Sequence, residues 1–207
     1  MKLLEIQSSA RQQGSISRLL SQEFGEFYQK YYSKLERKQR DVGTNPPAHP
    51  TELWTKANYI SPEQRTPEMI AALQESQNLI EELFWADRLL LGIPMYNFSV
   101  PSTFKAYIDN VVRINQTFTF NRQNYTFQGL VTGKKALIIT PSAGKFTPGT
   151  ALGQMNFCET YLRSLLNFIG IKQIDIVPVP NQFMSNEIRQ QEIKTARTKL
   201  SNIAANW

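Results

Sequence analysis

The chain has 207 residues, of which 41% are hydrophobic and 19% charged, an ordinary balance for one globular domain spanning residues 1–207 with a substantial core. A net charge of +6 permits contact with anions, yet the basic residues are scattered apart from Lys34 to Arg40, so the charge suits a small phosphate-bearing ligand and nucleic-acid binding is not expected. With one cysteine, Cys158, and one histidine, His49, there is no internal disulfide and no basis for a metal site of the usual nitrogen and sulfur ligands or for a Cys-His nucleophilic pair. Any chemistry is therefore directed toward a bound cofactor.

Lys2 to Gln7, with Leu3, Leu4 and Ile6, predicts a first strand. Met1-Lys2 leads into it directly instead of into a signal peptide, and no apolar run approaches the roughly 20 residues of a spanning helix. No membrane association is expected, and the expected location is cytoplasmic. Ser8 to Ser15 then interrupts the strand ahead of an amphipathic helix marked by Ile16, Leu19, Leu20, Phe24, Phe27 and Tyr31. Ser9, Ser15, Ile16 and Ser17 stand at that helix's start, where unpaired N–H groups and hydroxyls suit a phosphate; simple serine capping explains the same residues.

Arg37 to Val42 reads as an edge-like second strand. Positions 43 to 66 are proline-rich but carry Leu53, Trp54, Tyr59 and Ile60, which predicts a loop with a helical turn packed on the body or on a partner subunit. Thr66-Pro67 opens a helix through Leu83.

Leu89 to Ile93 is the most continuously apolar stretch, and the following Pro94 makes it a buried central strand. It empties into Met95, Tyr96, Asn97 and Phe98, whose rings, amide and backbone donors suit a flat heteroaromatic ligand; an ordinary strand-to-helix turn is the other reading. A helix over Ser102 to Arg113 follows, then two short strands, Thr117 to Phe120 and Tyr125 to Phe127, that form a hairpin flap. Lys134 to Thr140 predicts another buried strand, delivering Pro141, Ser142, Ala143 and Gly144 to the same sheet edge. A helix from about Gln154 to Phe168, a strand from Ile174 to Val179 and a helix from Glu187 to Ile203 complete the chain. Cys158 falls on an apolar helix and reads as core.

Strands alternating with helices imply an α/β fold: a doubly wound, five-stranded parallel sheet in the flavodoxin-like order 2-1-3-4-5, with helices on both faces and a small β-hairpin insertion. That order sets the serine loop beside Met95–Phe98 and Pro141–Gly144, which points to FMN.

These residues also resemble a known family, the FMN-dependent NADH azoreductases, or NADH:quinone oxidoreductases, of the flavodoxin-like superfamily. The resemblance rests on Pro94-Met95-Tyr96-Asn97-Phe98 with Pro101 to Asp109, on Gly129 to Lys135, and on Tyr161-Leu162 with Phe168 to Ile171. It implies phosphate binding at Ser9 and Ser15 to Ser17, the flavin ring along Met95 to Phe98 and Pro141 to Gly144, and a homodimer with its sites at the interface. It further implies ping-pong two-electron transfer from NADH or NADPH to a quinone or azo compound, with no obligatory catalytic side chain. Phe98, Phe118 and Phe120 are the candidate substrate walls, hairpin or core packing being the other role for such rings. The chain departs from the family where Ser-Arg-Gly-Gly is replaced by Pro141-Ser142-Ala143-Gly144, where Arg-Ala-Gly is replaced by Arg113-Ile114-Asn115, and where a common tyrosine is Phe120. A flavodoxin-type electron carrier or regulatory flavoprotein is the alternative function.

Overall fold

A computed structural model describes residues 1–207. Its centre is a parallel sheet of β1 (Lys2–Gln7), β2 (Glu36–Asp41), β3 (Arg88–Gly92), β6 (Lys135–Pro141) and β7 (Gln173–Val179), in the order β2-β1-β3-β6-β7. The intervening β4 (Phe118–Asn121) and β5 (Thr126–Gly129) form a separate antiparallel hairpin. With the hairpin set aside, this is the order 2-1-3-4-5 expected from the sequence.

Strand periodicity explains the two cores. Leu89 and Leu91 face one side of the sheet, with α3 (Pro67–Trp85), α4 (Ser102–Val111) and α5 (Phe157–Ile169). Leu90 points the other way, toward α1 (Ile16–Tyr31) and α6 (Asn186–Ala204), among Leu20, Phe24, Ile193 and Leu200. The apolar run of β3 therefore serves both layers, as a central parallel strand must.

The edge strands have a different chemistry. β2 reads Glu-Arg-Lys-Gln-Arg-Asp and is largely exposed; its charges blunt the open edge, with Arg37 on Glu5 at 3.1 Å and Arg40 paired with Glu82. β7 is the other edge and tolerates Pro178, which has no N–H to contribute to a ladder.

Residues 43–66 pack on the body. α2 (Glu52–Tyr59) buries Trp54 and Ala57 against Met69 and Leu73 of α3. Beneath it lies Arg113, only 1% exposed, donating to Asn58 Oδ1 at 3.0 Å and Ser76 Oγ at 3.1 Å. Burial, with Arg65 nearby, brings its guanidinium down to about 10, so it stays charged at neutral pH.

Several boundaries differ from expectation. β2 starts and ends one residue early, because a wholly polar strand gives no apolar edge to read. α5 begins at Phe157, not Gln154: Gly153–Met155 form a 3-10 turn and Asn156 caps the helix, accepting from Glu159 N–H at 3.1 Å. Pro141 is the last residue of β6, so the loop after it starts at Ser142.

Candidate functional site

The carboxyl ends of the parallel strands bring the serine loop and the two later loops to one edge. A cleft of about 280 Å³ opens there, lined by Ser9, Ser15, Ile16, Ser17, Met95, Tyr96, Pro141, Ser142 and Ala143 among the expected residues. Arg11, Gly14, Pro94, Gln182, Phe183 and Arg189 complete its lining.

The loop before α1 is held open by one side chain. Arg18 reaches back to accepting carbonyls at Ser9 (2.7 Å) and Arg11 (3.0 Å), and pairs with Asp41 at the end of β2. Burial alone would raise the Asp41 carboxyl, but hydrogen bonds and charge from Arg18, with Thr44, hold it below the ordinary carboxylate range. A Cβ at Gly43 would strike the Ser9 carbonyl, so this close approach requires glycine.

Within that loop the donors converge. Gly14, at φ +66°, turns the chain into the helix; the N–H groups of Gly14, Ser15, Ile16 and Ser17 have no hydrogen-bond partner in the chain. Ser15 caps α1 by accepting from Arg18 N–H, and its hydroxyl lies 3.1 Å from that of Ser17. Ser9, Ser15 and Ser17 are all buried. Unpaired amides at a helix's positive end, beside three hydroxyls, form an anion site suited to a phosphate dianion.

The other two loops are stitched to this one. Tyr96 Oη accepts from Ala10 N–H at 3.3 Å, Met95 N–H donates to the Pro141 carbonyl at 2.8 Å, and Gln182 N–H donates to that of Ser142 at 3.0 Å. Tyr96 and Ser99 exchange backbone hydrogen bonds at 2.9 and 3.0 Å around Asn97 (φ 47°) and Phe98 (φ 69°), a two-residue turn of the primed kind. Holding phenylalanine in this left-handed region costs about 1 kcal/mol. It leaves the N–H groups of Asn97 and Phe98 without a partner; those of Ala143 and Gly144, across the cleft, are also unpaired.

Not every expected residue lines the cleft. Asn97 lies on a neighbouring hollow of about 460 Å³ with Tyr96, Ser102, Lys105 and Tyr161. Phe98 is partly exposed and sits edge-on to Phe146 at 6.0 Å. Gly144 lies just beyond the lining, where its carbonyl accepts from Ser142 Oγ at 2.9 Å. Phe118 and Phe120 are not brought to the cleft of their own chain: Phe118 packs on Phe168 at 4.8 Å and Phe120 stacks on Phe127 at 4.7 Å. Those contacts pack the hairpin on itself and on α5, the other role open to such rings.

Gln182, Phe183 and Arg189 carry no motif and emerge only from the fold. Their signal was positional: they follow β7, the last strand to reach the same edge. Cys158 is a buried core residue, its thiol pushed up to about 12 by burial and the adjacent Glu159, so it is no nucleophile. No group of His, Cys, Asp and Glu side chains is arranged to hold a metal ion.

Comparison with known proteins agrees with this geometry. A family model described as flavodoxin-like fold matches residues 1–203. An FMN-dependent NADH:quinone oxidoreductase of Nostoc sp. is 40% identical over 206 residues, covering 99% of both chains. One from Nostoc punctiforme is also 40% identical, over the whole of both. Among solved structures, an azoreductase from Bacillus anthracis superposes with a TM-score of 0.90 over the full length of both chains at 17% identity. An FMN-dependent NADH-azoreductase of that species, in complex with FMN, gives 0.86 at 21% identity, covering 99% of this chain and all of the other. At such identities the superpositions establish the fold, and the closer sequence relatives establish the family. A phosphate-ready helix start, two loops with unpaired amides and these relatives agree: the chain belongs to the flavodoxin-like family of FMN-dependent NADH:quinone oxidoreductases.

Proposed function

We propose that this protein is an FMN-dependent NADH:quinone oxidoreductase, a single FMN-binding domain over residues 1–207 that also reduces aromatic azo compounds. The observation that carries the reading is the set of unpaired donors at one sheet edge: Gly14 to Ser17 on one side, Asn97, Phe98, Ala143 and Gly144 on the other. A flavin mononucleotide needs that division, with donors for a dianion at one end and for ring nitrogen and carbonyl acceptors at the other.

Bound FMN supplies two-electron chemistry, accepting from NADH or NADPH and returning the electrons to a quinone or azo acceptor. The chain's own part is positioning. Ser9, Ser15, Ile16 and Ser17 hold the phosphate; Met95, Tyr96, Asn97 and Phe98, with Pro141, Ser142, Ala143 and Gly144, border the ring. Pro141 has no N–H and contributes only its carbonyl, which accepts from Met95 and fixes the spacing of the two loops. Amides directed at the ring stabilise charge that develops there without a protonated side chain. No carboxylate, histidine or cysteine side chain lines the cleft, which supports proton supply from solvent.

We infer a homodimer whose partner covers the cleft. Phe183 and Phe157 are 87% and 57% exposed, and Tyr125 and Phe127 of the hairpin are exposed as well, more aromatic surface than a lone subunit normally presents. In such a dimer we assign the partner's hairpin to the wall of the substrate space, the role proposed for Phe118 and Phe120, beside Phe98 of the same chain. No helix is long and apolar enough to cross a membrane, and a lone buried cysteine fits a reducing compartment, so we place the protein in the cytoplasm.

The electron-carrier alternative is less well supported, since the sequence relatives are named as oxidoreductases. Steady-state oxidation of NADH by the FMN-loaded protein tests the reading: menadione-dependent turnover is expected, and its absence, with FMN bound, would favour a carrier.

A further inference from the structure

Two residues that line the cleft each carry a buried side-chain polar atom without a partner: Nε of Arg189 and Oε1 of Gln182. Neither belongs to the serine loop. Arg189 stands in the first turn of α6, Gln182 in the connection from β7. A buried guanidinium N–H left unpaired costs as much as a lost charged hydrogen bond, so a ligand acceptor there is strongly favoured.

α6 packs beside α1, where Arg197 pairs with Glu23 at 2.6 Å, and because α1 follows β1 and α6 follows β7 of one parallel sheet the two helices run in the same direction. Arg189 lies two helical turns before Arg197, and Ser15 lies the same distance before Glu23, so Arg189 is level with the start of α1. It forms no ion pair with any carboxylate. A free cation level with a set of unpaired amides, on a shared cleft, marks one target of concentrated negative charge.

Resting on the FMN reading of this cleft, we propose that Arg189 is a specificity-determining residue that binds the cofactor's phosphate from α6, opposite the serine loop, and selects the monophosphate over riboflavin. Nothing in a phosphate dianion donates a hydrogen bond, so the unpaired Gln182 acceptor belongs to a neighbouring donor, for which the ribityl hydroxyls are the chemical match. The sequence hides this arrangement because a single arginine on a polar helix face reads as solvated surface.

The test compares FMN and riboflavin binding to the full-length protein by flavin fluorescence quenching, for wild type, Arg189→Met and Arg189→Lys, at two salt concentrations. Arg189→Met is expected to raise the Kd for FMN about tenfold or more at low salt, leave that for riboflavin unchanged, and flatten the salt dependence of FMN binding. Arg189→Lys should recover part of the loss. Equal weakening of both flavins would make Arg189 a structural residue only, and an unchanged FMN to riboflavin ratio would likewise overturn the proposal. Failure of wild type to bind FMN at all would instead remove the reading on which the proposal rests.

Discussion

Arg18 Nη1 and Asp41 Oδ2 meet at 2.6 Å, joining the first turn of α1 to the last residue of the edge strand β2. Arg18 also donates to the carbonyls of Ser9 and Arg11, so this one pair sets the shape of the loop that presents the cleft's unpaired amides. Both side chains are largely buried, so the pair exceeds an ordinary surface ion pair in value.

Asp41→Asn should lower stability by about 1 kcal/mol at neutral pH and weaken FMN binding. Because the folded carboxyl lies below its ordinary value of 3.8, its contribution is complete above that value and is lost as pH falls through the folded one. Acid unfolding of the variant should therefore show a shallower dependence below about pH 4, read by circular dichroism. An identical acid limb in both proteins would contradict this assignment.

Ser15→Ala with Ser17→Ala should raise the Kd for FMN about tenfold, since two hydroxyls leave the anion site. Ser15 is also the cap of α1, worth about 1 kcal/mol, so Ser17→Ala alone separates binding from helix stability. Unchanged FMN affinity in the double variant would remove the serine loop from the site.

Phe98→Asn should preserve or raise thermal stability, because asparagine tolerates the left-handed backbone observed there, at φ 69°, better than phenylalanine. With the ring gone, KM for a flat quinone should rise. A clear fall in melting temperature, with KM unchanged, would show that Phe98 is retained for packing on Phe146 instead.

Arg113→Ala should cost about 3 kcal/mol, leaving Asn58 unpaired and a cavity under Trp54. Hydrogen exchange should show α2 losing protection first. Loss spread evenly over the sheet would contradict its role as the peg of residues 43–66.

Much of the fold was legible because β3 and β6 are apolar on both faces and β1 carries Leu4 and Ile6 on one face and Leu3 on the other, each strand ending in a turn-forming stretch, so the layers followed from pattern and the strand order from pattern and size. β2 has no apolar residue and was found only to within one position. The serine loop and Met95 to Tyr96 were legible as cleft residues because strand ends in a parallel sheet share an edge. Arg18, Gln182 and Arg189 were not: each is polar, on a helix or in a connection, and acquires meaning only when β2 or β7 brings it to that edge. Phe118 and Phe120 show the converse, since an aromatic alternation cannot tell a substrate wall from hairpin packing.

The most direct measurement is an anaerobic visible spectrum of the FMN-reconstituted protein, taken before and after NADH and again after menadione. A flavin band that bleaches with NADH and returns with menadione is the predicted result. A protein that retains no FMN, or a bound flavin whose band NADH leaves unchanged, would contradict the account.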